Sequence, residues 1–148
     1  MIFTSAVSFT KAQLKALIAH SSTDITRPHV NSIFFNAAER AAVATDGHRM
    51  ALCEGEGDKG AWTYLLPRDA AETALRAKGA ETYILNPTAG DLAAFNKANR
   101  KIATIPAPAP TGATFPPYRQ IMVQPSDRGV SQGFNARYLA DIKLVAEA

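Results

Sequence analysis

Ser8-Phe9-Thr10-Lys11-Ala12-Gln13-Leu14 is the stretch from which the fold can be read. Thr10 carries the side-chain oxygen of an N-cap, and Gln13, three residues on, completes a capping box. Phe9 before the cap and Leu14 at the fourth helical position match a hydrophobic staple. Leu14, Leu17 and Ile18 then recur at helical spacing, which predicts a helix over residues 10–20 with one buried stripe. Lys11 and Lys15 stand one turn apart at the edge of that stripe. Ser21-Ser22, weak helix formers, end it.

Downstream of this helix the pattern turns to strands. His29 to Phe35 carries Val30, Ile33, Phe34 and Phe35, and a polar turn follows at Asn36–Arg40. Ala41–Thr45 is a second strand, Asp46-Gly47 a turn or bulge, and His48–Cys53 a third strand. Glu54–Gly60 is polar and glycine-rich, hence a loop. The pattern then begins again. Trp62–Leu66 reads as a strand, and Pro67 suits the first position of a helix over residues 67–78. Ala70, Ala71, Ala74 and Leu75 face inward, and Gly79 closes the helix. Strands follow at Thr82–Leu85, Asp91–Phe95 and Arg100–Ile105. The order is strand, helix and three strands, twice over.

Pro106-Ala107-Pro108-Ala109-Pro110 is a stiff extended connector, and Phe115-Pro116-Pro117-Tyr118 an aromatic-proline anchor pinned to the surface. Phe134-Asn135-Ala136-Arg137-Tyr138-Leu139 then reuses the opening motif, with Phe before a capping residue and Leu four positions past the cap. A repeat at this distance predicts a domain over residues 1–125, built from units of about 1–60 and 61–125. Residues 126–148 would be the opening strand and helix of a second, incomplete module. Leu139, Ile142 and Val145 on that helix need burial, which a neighbouring chain would supply.

Composition narrows the function classes. The chain has 148 residues, 47% hydrophobic and 20% charged, which suits one soluble globular domain. No apolar run approaches a membrane helix, so no membrane contact is expected, and the first residues lack the pattern of a secretory signal. Cys53 is the only cysteine, so the chain forms no internal disulfide, which fits a cytoplasmic protein. The net charge is +3, a surplus too small to imply nucleic acid unless geometry gathers it.

Ala44-Thr45-Asp46-Gly47-His48-Arg49-Met50-Ala51 is very similar to the signature of the middle domain of the DNA polymerase III beta subunit, the bacterial sliding clamp. Phe115-Pro116-Pro117-Tyr118-Arg119 resembles the element that closes that domain. Arg27, Val30 and Asn31 fall where the family has Arg-x-x-Leu-Asn, with Val for Leu, and Phe134-Asn135-x-x-Tyr138-Leu139 is like the start of the following domain. An isolated Asp-Gly-His-Arg is weak, whereas the ordered set is specific. The resemblance implies an α+β DNA-clamp fold: two strand-helix-three-strand repeats with helices on one face of a curved antiparallel sheet. It implies a ring of such domains around duplex DNA, made here as a homo-oligomer. The chain departs from the family in holding one domain and the start of another where bacterial clamps have three. It is either a piece of a longer clamp or a short clamp relative.

A clamp's inner helices present cations to phosphates without reading bases. The candidates are Lys11 and Lys15 on the first helix, Arg68, Arg76 and Lys78 on the second, and Arg137 and Lys143 on the third. The first helix holds no acid, the second carries Asp69 and Glu72, and the third is neutral overall. The family also docks polymerases, clamp loaders and repair proteins through a peptide groove. The positions carried over are Val30, Thr45, Gly47, His48, Arg49, Met50, Pro116, Gln120 and Ile121. Gln120 stands where the family has Arg, and half of the groove belongs to the missing part of the next domain.

Other chemistries fare poorly. Asp46, His48 and Arg49 suggest acid–base work, yet no nucleophile motif or phosphate loop accompanies them, so no enzyme and no cofactor are expected. His20, His29, His48 and Cys53 lack metal-ligand spacing. Trp62 and Tyr64 suit a core better than a base-stacking platform. The rival from a different class is a clamp-like interaction module that regulates clamp partners without encircling DNA.

Overall fold

The computed structural model describes residues 6–118 and the backbone of 136–148, with side chains for 141–146 and 148. Its elements are β1 Val7–Thr10, α1 Lys11–His20, β2 Ser32–Asn36, β3 Ala41–Thr45, β4 Met50–Glu54, β5 Glu56–Gly57 and β6 Thr63–Pro67. Then follow α2 Arg68–Leu75, β7 Ala80–Asn86, β8 Asp91–Asn96, β9 Lys101–Pro106 and α3 Ala136–Glu147.

Capping chemistry starts α1 where the sequence places it. The Gln13 amide donates to Thr10 Oγ at 3.2 Å, and the Thr10 amide donates to the Gln13 side chain at 3.0 Å. Gln13 also donates to the Glu54 carbonyl at 2.8 Å, tying the cap to the end of β4. Phe9, Leu14, Leu17 and Ile18 are all buried in the main apolar cluster. A fully buried Leu side chain contributes roughly 1.5–3 kcal/mol, so this stripe fixes α1 on the sheets far more strongly than its cap does.

The antiparallel strands form two hydrogen-bonded sheets, β5-β1-β7-β8-β9 and β4-β3-β2-β6, where the sequence reading has one curved sheet. The two halves exchange their opening strands: β1 pairs with β7 of the second half, and β6 pairs with β2 of the first. Neither half is therefore closed without the other. The chain passes from one sheet to the other at Gly55, between β4 and β5. A Cβ there would lie 2.6 Å from the Ser8 carbonyl, so only glycine permits this approach of the two strands.

Both helices pack on the same side. The main cluster joins Leu14, Leu17 and Ile18 of α1 and Ala70, Ala71 and Ala74 of α2 to Ile33, Leu66, Tyr83, Leu92 and Ile105 from both sheets. Trp62 and Tyr64 pack at its margin, and the Tyr64 hydroxyl donates to the Ala107 carbonyl. A second cluster, Val43, Leu65, Phe115 and Tyr118 with Phe34, Met50 and Leu52, covers the other face of the β2-containing sheet. Phe115 stacks on Phe34 at 5.0 Å, and the Tyr118 hydroxyl donates to Glu39. The aromatic-proline segment is thus pinned down as the sequence indicates.

Several boundaries differ from the sequence reading. His29–Asn31 belong to a turn, because the amides of Val30 and Asn31 both donate to the Arg27 carbonyl. Helix α2 starts after Pro67 and ends at Leu75, since Ala77 already donates to Ala74, three residues back. The supposed loop 54–60 contains β5, which pairs with β1. The strand expected before α3 lies outside the described residues. Helix α3 docks on α1 of its own chain. Asp141 sits beside Ala19 and Leu144 beside Ala12, so the two helices run antiparallel. Leu144 and Val145 are half-buried, whereas Ile142 is exposed, and the Leu139 side chain is outside the described set.

Candidate functional site

The loop between β3 and β4 is built by Asp46. Its Oδ1 accepts from the amides of His48 at 2.9 Å and Arg49 at 3.1 Å, an Asx-type turn. Thr45 is buried, and its hydroxyl donates to the Arg49 carbonyl while accepting from the Gly47 amide. Gly47 has φ +95°, a conformation that favours glycine, and faces the Arg27 guanidinium. His48 points outward and is exposed. The spacing of Asp46, His48 and Arg49 therefore serves a tight turn.

Arg49 is the hub of this region. Its Nε donates to Asp46 at 3.1 Å, Nη1 to Asp141 of α3 at 2.5 Å, and Nη2 to the Ala19 carbonyl at the end of α1 at 2.8 Å. Burial works against these charges, but the two carboxylates raise the pKa of Arg49 above its ordinary value. Burial likewise opposes ionisation of Asp46, yet the His48 amide and the Arg49 side chain and amide hold its carboxyl below the usual range. A charge-assisted fork of this kind fixes loop, helix end and neighbouring helix together.

Arg68 does similar work next door. Its Nη1 donates to the Ile18 carbonyl at 2.8 Å, the Ser21 carbonyl at 2.7 Å and the Ser21 hydroxyl at 2.9 Å, and its Nε pairs with Glu72. Cations at a helix C-terminus satisfy orphan carbonyls and oppose the negative dipole end. Arg49 and Arg68 so share a polar recess of about 350 Å³ with Ser21, Ser22, Thr23 and Asp141.

Val30 is buried at the end of its turn, while Met50 and Pro116 are half-buried, Met50 against the outer aromatic cluster. Gln120 and Ile121 lie outside the described residues. The structure thus joins Thr45, Gly47 and Arg49 by hydrogen bonds and brings Met50 to Phe115 and Tyr118.

Among the cations, Lys11 and Lys15 are exposed on α1 and share a recess with Ala12, Glu81 and Leu144. The acid-free helix of the sequence thus has an acid next to it in space, contributed by β7. Arg76 and Lys78 are exposed at the end of α2, and Arg76 donates to Thr73 Oγ. Arg68 is half-buried and engaged as described. Lys143 is exposed on α3, and the Arg137 side chain is outside the described set. Among the described residues, no cluster of three His, Cys, Asp or Glu is placed to hold a metal, and no helix is long and apolar enough to cross a membrane. Sequence reasoning missed Asp141, one of the acids that leave the third helix neutral overall. Nothing in the local pattern pairs it with a residue 92 positions away.

No family model matches the chain, and no curated protein matches it in sequence. Solved structures do match its fold. The DNA polymerase III beta subunit of Pseudomonas aeruginosa superposes with a TM-score of 0.52 at 20% identity, over 84% of this chain and 36% of that one. The beta subunit of Thermotoga maritima gives 0.56 at 16% identity, over 84% and 35%. The sliding clamp of Bartonella birtlesii, solved with griselimycin, gives 0.53 at 21% identity, over 86% and 37%. The chain has the sliding-clamp fold and spans just over a third of the length of these clamps.

Proposed function

We propose that this chain is a ring-forming segment of a DNA sliding clamp, a binding module without chemistry of its own. The observation that carries the reading is the clamp fold with Lys11 and Lys15 on the exposed side of α1, the helix that has no acidic residue. Arg76 and Lys78 at the end of α2 and Lys143 of α3, all exposed, are further proposed contacts, and Arg137 is proposed from the sequence alone. Arg68 is left out of this set, because its guanidinium holds the end of α1. Contacts of this sort go to phosphates, so binding is independent of sequence, and each neutralised phosphate steepens the log–log salt dependence by about 0.9.

A ring needs several such domains, supplied by further copies of the chain or by further sequence. Residues 1–125 act as one clamp domain, and residues 126–148 open the next. Polymerase or clamp-loader type proteins dock at the loop 45–50 and the segment that begins at Pro116. Gln120 in place of a charged donor makes that docking weak. A second reading, a clamp-like module that binds such partners without encircling DNA, is favoured by the Glu81 carboxylate beside Lys11 and Lys15. Negative-stain imaging with light scattering separates the two. Closed rings are the expected result, and a monomer or open dimer at all concentrations would favour the second reading.

A further inference from the structure

In the five-stranded sheet β1, β7, β8 and β9 alternate in direction, so one end gathers the last residues of β1 and β8 with the first of β7 and β9. The register fixes that end: Thr10 pairs with Thr82, Ala80 with Asn96, and Phe95 with Lys101. The Asn96 amide donates to the Arg100 carbonyl at 2.9 Å and closes the β8–β9 turn. Cations stand at each of these strand ends. Lys11 follows Thr10, Arg76 and Lys78 lead into Ala80, Lys97 follows Asn96, and Arg100 and Lys101 open β9. All are exposed, and none forms an ion pair among the described residues. Residues 73–80 and 92–106 contain no Asp or Glu. Glu81 interrupts the row, at the irregularity between Ala80 and Thr82 and beside Lys11 and Lys15.

We infer that this sheet end is a phosphate track for duplex DNA, running from Lys11 to the β8–β9 hairpin. Neighbouring strands lie about 4.8 Å apart, so β1 to β9 spans roughly 15 Å, the axial rise of about four phosphates of one strand. The hairpin offers charge and little else. Residues 96–101 carry no aromatic side chain on which a base could stack, which favours backbone contact. The exposed Ile102 beside them is one apolar side chain, too little to anchor a protein partner. The turn itself is held by its asparagines: Asn96 Oδ1 accepts from the Arg100 amide at 2.9 Å, and Asn99 takes φ +64°. Its cations therefore have no part in shaping it. Glu81 repels the same phosphates and limits how tightly the track holds them. The inference rests on the proposed reading for its ligand, duplex DNA, and not for ring closure.

Binding of the full chain to a short linear duplex, followed by fluorescence anisotropy over a salt series, tests the track without requiring a closed ring. Lys97→Ala, Arg100→Ala and Lys101→Ala together should weaken binding about tenfold at low salt and flatten the log–log salt slope by about two to three, on any sequence. Glu81→Gln should tighten binding about threefold. Lys59→Ala, an exposed cation at the opposite end of β1, is the control and should leave the slope unchanged. Thermal unfolding of each variant should match that of the parent. If the triple variant binds like the parent while Lys11→Glu with Lys15→Glu weakens binding, the track is overturned and the proposed function stands. A loss in the triple variant alone would support the hairpin contact and overturn the α1 contact of the proposed function. A loss from Lys59→Ala as large per charge would mean that net charge alone sets the affinity, which overturns the track. An unchanged affinity in Glu81→Gln would overturn the repulsion assigned to that acid. A parent chain that fails to bind the duplex at low salt, whether or not it binds polyglutamate, would overturn DNA as the ligand of the track.

Discussion

On α1 the side chains of Leu14, Ala16, Leu17, Ile18 and His20 are buried, whereas on α3 no described side chain is, and Ile142 is 56% exposed. In the sequence both helices share a Phe, a capping residue and a Leu four positions past it. The local signal for a helix is thus similar, and the burial of the described side chains is not. Most helical stability in proteins comes from the packed face, and the packed face of α1 belongs to the core.

Truncations should expose this contrast most strongly. Leu17→Ala removes a fully buried side chain from the main cluster and should cost about 2–5 kcal/mol in denaturant unfolding. A loss below that range would mean that α1 is not part of the core. Thr10→Ala breaks one side of the capping box and should cost about 1 kcal/mol, with the midpoint falling and the slope unchanged.

The capping box, the staple, the two meanders and the aromatic-proline anchor were legible because each is set by residues close in sequence or by a simple alternation. The strand exchange was not, since β1 with β7 and β2 with β6 are pairings that hydrophobic pattern leaves open. The roles of Arg49 and Arg68 were hidden for another reason: their main acceptors include the carbonyls of Ile18, Ala19 and Ser21, and a backbone carbonyl has no residue type. The signature loop was therefore recognisable by resemblance while its physical work, closing the end of α1, came only from the structure. Glu81 beside Lys11 and Lys15 is a further contact between distant parts of the chain.

Smaller effects sharpen the comparison. Asp46 has its folded pKa below its unfolded value of about 3.9, so its stabilisation is complete above that pH and is lost as pH falls through the folded value. Unfolding followed from pH 5 to pH 2 should show a shallower acid loss in Asp46→Asn than in the parent. An identical slope would mean that the turn does not depend on the ionised carboxylate. The smallest change is Ile142→Ser on the exposed side of α3, expected to stay within about 0.5 kcal/mol of the parent. A larger loss would show that a neighbouring chain covers that side chain.

In the proposed function this fold holds duplex DNA by enclosing it, with cations of α1 on the phosphates. Retention of the assembled protein on a closed circular duplex, compared with the same duplex made linear, tests that claim most directly. The expected result is long retention on the circle, rapid loss from the free ends of the linear form, and weaker loading on every sequence for Lys11→Glu with Lys15→Glu, while its unfolding stays that of the parent. Retention that ignores both the DNA ends and the two lysines would contradict it.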